Sequence, residues 1–77
     1  MANHKWTRND EKAALRAYLD GLSGHELWTI ADDHGIKRGS FQMKLENFRY
    51  LDTGQGLSNA SKLSREIWNE YKKTGKV

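Results

Sequence analysis

Lys37, Arg38, Ser40, Gln42, Met43, Lys44, Asn47 and Arg49 crowd into one short stretch of the chain, IKRGSFQMKLENFRY. Their chemistry is that of a surface that reads nucleic acid. Ammonium and guanidinium groups grip phosphate oxygens, carboxamides match the edge of adenine, and a thioether suits the methyl group of thymine. The charge of the chain is distributed to match. Residues 1–36 carry Lys5, Arg8, Lys12 and Arg16 against Asp10, Glu11, Asp20, Glu26, Asp32 and Asp33, a net −2. Residues 37–51 carry Lys37, Arg38, Lys44 and Arg49 against Glu46 alone, a net +3, and the rest of the chain is +2. A modest total of +3 thus hides a polarised molecule, and nucleic acid is the partner that such polarity most often serves, with double-stranded DNA the partner expected here.

Several of these residues carry two readings. Lys37 and Arg38 grip the backbone on either side of a groove or are simply solvated. Ser40 caps a helix or offers its hydroxyl to a phosphate. Asn47 reads adenine, caps a turn or bridges to a neighbouring helix. Glu46 repels phosphates or accepts from cytosine N4, and Arg49 takes a phosphate or a guanine.

Other chemistry is harder to find. Asp32, Asp33 and His34 have ligand-type side chains, but consecutive helical positions point about 100° apart and do not converge on one ion. His4 and His25 have no partner at metal spacing. The sequence holds no glycine-rich phosphate loop and no nucleophile–histidine–acid set. The expectation is a binding protein with neither metal nor cofactor, not an enzyme.

The elements that must position these residues are helical. The chain of 77 residues has no proline and no cysteine, so neither disulfides nor thiolate metal sites assist a core of marginal size. Three Trp, three Tyr and two Phe offset that with large buried areas. No apolar run approaches the roughly 20 residues that span a bilayer, and the N-terminus lacks a signal-peptide core, so the expectation is a soluble, cytoplasmic protein. The fold expected is all-α, a small bundle of about four helices containing a helix-turn-helix, as one domain with an ordered core over residues 6–73 and frayed ends.

Helix one opens at Thr7, with Asp10 completing a short-armed capping box. Its buried face is Leu15, Tyr18, Leu19 and Leu22, and Trp6 staples onto the stem of Glu11 or covers the first turn. Ser23 and Glu26 form a capping box for helix two, whose face is Leu27, Ile30, Ala31 and His34, ended by a left-handed Gly35. Helix three opens between Gly39 and Ser40, with Phe41, Leu45 and Phe48 inward and Gln42, Met43, Glu46, Asn47 and Tyr50 on the opposite face. Lys44 and Arg49 flank the stripe, where long side chains snorkel outward. The last helix runs roughly over residues 59–73, burying Leu63, Ile67 and Tyr71 with Trp68 at the margin, and Gly75 stops it. Trp6, Tyr18, Trp28 and Trp68 are read as core, not as base-stacking platforms.

Ala31, Gly35 and Phe41 supply what a helix-turn-helix needs: a small residue where two helices cross, a glycine in the turn, and an apolar inner face beyond it. On this reading four phosphate contacts give a salt slope of about −3.6. The rival is a protein-interaction module, a phage-type inhibitor or adaptor that grips a host protein through the same surface, with Met43, Tyr50 and Trp28 in the contact. A homodimer reading two half-sites is compatible with either.

The residues also carry a resemblance. Trp6-Thr7 at the opening, Tyr18 late in helix one, then GSFQMKLENFRYLD, GLSNAS and IWNEY resemble a helical module at the N-terminal side of some bacterial HNH-type nucleases and modification-dependent restriction proteins. The likeness runs from Trp6 to about Tyr71; a looser one links the Trp-Thr opening to Myb-type repeats. It implies DNA binding, with Phe41, Leu45, Phe48 and Leu51 as scaffold and Lys37, Arg38, Ser40, Gln42 and Lys44 as the recognition surface. The nuclease part has no counterpart in the chain, which holds no His-Asn-His constellation, so cutting is not implied. The expectation is a free-standing recognition module acting in transcriptional or phage-type regulation.

Overall fold

The computed structural model describes residues 5–77, and the readings made for His4 and Met1 fall outside them. Four α-helices follow in order: α1 Arg8–Leu19, α2 Gly24–Asp33, α3 Arg38–Thr53 and α4 Lys62–Thr74. No strand occurs among the described residues. α1 and α3 form the central pair, α4 packs on both, and α2 packs against α3.

Each start has a local cause. Thr7 accepts from the Asp10 backbone N–H while the Asp10 side chain accepts from the Thr7 backbone, a complete capping box. Ser61 caps α4 by accepting from the Ser64 N–H. This places the helix start three residues later than the sequence pattern indicates, because Asn59 is used elsewhere. Ser23 stands at the N-cap of α2 but makes no side-chain cap bond, so the expected Ser23–Glu26 box does not form. α3 begins at Arg38 with Lys37 as N-cap, ahead of the Gly39–Ser40 start expected, and Ser40 therefore sits inside the first turn rather than at the cap.

The core is Ala14, Leu15 and Ala17 of α1, Leu27 and Ala31 of α2, Ile36 of the turn, Phe41, Leu45 and Phe48 of α3, and Ile67 and Trp68 of α4. Trp6, Tyr18, Leu22 and Trp28 pack against its edge. Trp6 stacks on Phe41, ring centroids 6.1 Å apart. Leu19 is exposed, one residue off the face expected. The α4 face is turned toward Ser64 and Trp68, with Leu63 and Tyr71 at its margin. Val77 packs against the core, so the tail beyond α4 is folded back rather than frayed.

Two contacts hold the end of α3 and the loop that follows it. The Tyr18 hydroxyl donates to Asp52 Oδ2 at 2.7 Å; burial first, and that bond second, push its pKa up to about 12, so it remains a donor at neutral pH. Gly56, at φ +116°, lies so close to α3 that a Cβ would meet the Glu46 carbonyl oxygen at 2.6 Å. The next residue, Leu57, donates its N–H to that same carbonyl. Gly56→Ala is therefore expected to cost about 1–3 kcal/mol in urea unfolding and to expose the Leu57 amide to hydrogen exchange. Unchanged stability would mean that the loop packs otherwise.

Candidate nucleic-acid interface

The start of α3 is exposed where it leaves the turn that follows α2. His34 caps α2 through its backbone, Gly35 takes the left-handed φ of +66°, and buried Ile36 pins the connection to the core. Lys37 then leads into α3 with no side-chain cap bond and no acidic residue in the first turn. The first N–H groups of a helix lack intrahelical partners, and here no carboxylate or hydroxyl of the cap residue takes one up. Lys37, Arg38, Gly39, Ser40, Gln42, Met43 and Arg49 are all exposed, Met43 by 54%. Beside them Trp6, Ser40, Met43, Lys44 and Asn47 line a shallow hollow of about 210 Å³.

Two of the eight expected contact residues are not on this surface. Lys44 is 8% exposed, its Nζ 3.1 Å from Glu11 Oε2 and 2.9 Å from Ser64 Oγ. It also lies 4.7 Å from the centre of the Trp6 ring. A carboxylate, a hydroxyl and an indole face occupy the ammonium, which cannot snorkel to a phosphate. Asn47 is buried to the same degree. Its Nδ2 donates to the Leu57 carbonyl at 3.0 Å and to Asn59 Oδ1 at 3.2 Å, so it bridges to the loop after α3 rather than to a neighbouring helix. Both are corrections to the base-reading face, and both follow from the α3–α4 connection folding back across α3.

The remaining cations are mostly paired. Arg38 holds Asp32 through two bonds, Nη2–Oδ2 at 2.8 Å and Nε–Oδ1 at 3.3 Å. Their hydrogen bond, before any other cause, raises the guanidinium pKa and lowers that of the carboxylate. Arg49 lies 3.5 Å from Glu46. Lys37 has no carboxylate partner among the described residues. These two ion pairs are open to solvent, with side chains 58% and 53% exposed in the first and 49% and 34% in the second. Exposed pairs are weak and screened by salt, so they give way to a stronger anion.

Asp32 and Asp33 form an acidic lip on the turn that the search for cations passed over, although Asp32 and Arg38 face each other across the glycine turn. Asp32, Asp33 and His34 do not converge. Asp32 turns to Arg38, and His34 Nδ1 lies 2.7 Å from Asp10 Oδ1 at the other end of the connection. Among the described residues no helix is long and apolar enough to cross a membrane. No protein-family model, no curated protein and no solved structure matches the chain.

Proposed function

We propose that this chain is a small DNA-binding module of the bacterial or phage regulator kind, acting in the cytoplasm. α2, the turn at Gly35 and α3 serve as its helix-turn-helix. The carrying observation is the start of α3, which is exposed, free of carboxylates in its first turn and flanked by Lys37 and Arg38. Such a terminus favours an anion through its dipole and its free N–H groups. Gln42 and Met43 stand one turn further along the same exposed surface, where base edges are read. Lys37, Arg38 and Arg49 position the backbone, and Ser40 offers its hydroxyl. The reading has lost Lys44 and Asn47, so its electrostatic footprint is three contacts at most.

A second reading has its own support. Met43 is the most exposed large apolar side chain among the described residues, it borders the hollow beside Trp6, and the charges of Arg38 and Arg49 are offset by Asp32 and Glu46. An apolar centre ringed by mixed charge is the anatomy of a protein interface. A double charge reversal separates the two. Lys37→Glu/Arg38→Glu is expected to weaken duplex binding about tenfold or more at low salt, uniformly across sequences, whereas Met43→Ser should change affinity for duplex DNA much less. If Met43→Ser proves the more damaging in capture from host lysate, and nuclease treatment leaves that capture intact, the protein-partner reading replaces the first.

A further inference from the structure

A second concavity, larger than the hollow beside Trp6, lies away from α3, where α1 meets the end of α4. It measures about 350 Å³, which falls within the size range of ligand and anchor pockets. Its floor is Ile67, 2% exposed, and Val77, half-buried against the core. The wall is made by a chain reversal. Gly75 takes a left-handed φ of +71°, and the Lys76 N–H donates to Thr74 Oγ1 at 3.1 Å, so the tail turns back over the groove. Lys12 from α1, Lys73 from the last turn of α4 and Lys76 from the tail stand around the mouth.

The charge of this mouth is one-sided. Glu70 is the single carboxylate side chain lining it, and both Glu70 oxygens accept from Arg8 Nη2. Glu66 lies 3.8 Å from the same guanidinium. Arg8 thus offsets one of these two α4 carboxylates, while no carboxylate lies within ion-pair distance of the three lysines among the described residues. Even with a terminal carboxylate beside Val77 counted against them, the three ammonium groups leave the rim positive.

We infer that this groove docks an acidic polypeptide segment of a partner protein, with one bulky apolar side chain seated on Ile67 and Val77 and carboxylates on either side of it held by Lys12, Lys73 and Lys76. The apolar floor offers nothing to a phosphate backbone, which argues against a second nucleic-acid contact. Three ammonium groups on three separate segments match several carboxylates rather than the single head of a fatty acid. The site is independent of the α3 surface and stands whether or not that surface binds DNA.

The test is a titration of the isotope-labelled protein with a blocked peptide carrying one leucine between glutamate pairs, read by amide chemical shifts. The expected result is saturable shifts at Ile67, Thr74, Lys76 and Val77. Binding should weaken about tenfold when Lys73→Glu/Lys76→Glu is introduced, and should survive Lys73→Arg/Lys76→Arg. The same weakening is expected when serine replaces the peptide's leucine or glutamine its glutamates. No shift at these amides overturns the inference. So does equal affinity for the serine peptide, displacement of the peptide by an equal concentration of decanoate, or tighter occupation of the same amides by duplex DNA.

Discussion

Replacing Lys44 with alanine is expected to destabilise the protein by about 3–5 kcal/mol, because it leaves Glu11 charged and buried without its partner. A chain of this length has roughly 4–12 kcal/mol of stability in all, so the variant should lie near the edge of folding. Glu11 is 1% exposed and Ser64 is fully buried. Glu11 accepts from Ser64 Oγ at 2.7 Å and from Lys44 at 3.1 Å, which joins α1, α3 and α4 at one point. No buried side-chain nitrogen or oxygen among the described residues lacks a hydrogen-bond partner, and that complete pairing is what makes the cluster tolerable. Removing both charges should therefore behave differently from removing one. Glu11→Leu/Lys44→Met is expected to unfold in urea near the wild-type midpoint, or above it. Equal losses in the single and double variants would show that the ion pair itself, not the orphaned charge, supplies the stability.

Phe41→Ala is expected to have a loss of similar size, about 3–5 kcal/mol. Phe41 has no exposed surface, joins the core beneath the first turns of α3, and supplies the plane on which Trp6 stacks. Its loss opens a void and leaves Trp6 without its support, so near-ultraviolet circular dichroism should fall with the unfolding midpoint. Phe41→Leu keeps most of the volume and should cost clearly less. A Phe41→Ala variant as stable as the parent would mean that the entry to α1 and the start of α3 are not packed through this ring.

The helical architecture was readable because it rests on local signals: no proline, four amphipathic stripes, the Thr7–Asp10 box, and left-handed glycines at residues 35 and 75. What misled was the assumption that polar residues on a helix face outward. Glu11, Ala14, Leu15 and Tyr18 are spaced i, i+3, i+4, i+7, and so are Phe41, Lys44, Leu45 and Phe48, and Ser64, Ile67, Trp68 and Tyr71. In each set one polar residue occupies a position of the inward stripe, and the three are chemically complementary. The periodicity thus held the information, but only a comparison among helices distant in sequence reveals it. Asn47 was misplaced for a different reason. Its partners, Leu57 and Asn59, belong to a loop whose path is set by Gly56 pressing on Glu46, a tertiary contact with no periodic signature. Gln42 and Met43 are exposed, as the wheel expects, whereas Lys37 and Arg38, read as turn residues, are the N-cap and first residue of α3. The pairing of Arg38 with Asp32 spans the turn, and a count of charges by segment does not show it.

The central claim is that the open start of α3 makes a small number of phosphate contacts. Titration of duplex DNA against the protein at a series of salt concentrations tests it directly. Three contacts, from Lys37, Arg38 and Arg49, predict that log K falls against log salt with a slope of about −2.7, and that Lys37→Glu/Arg38→Glu flattens it. Absence of duplex binding at low salt, or a slope near zero in the unaltered protein, would contradict the claim.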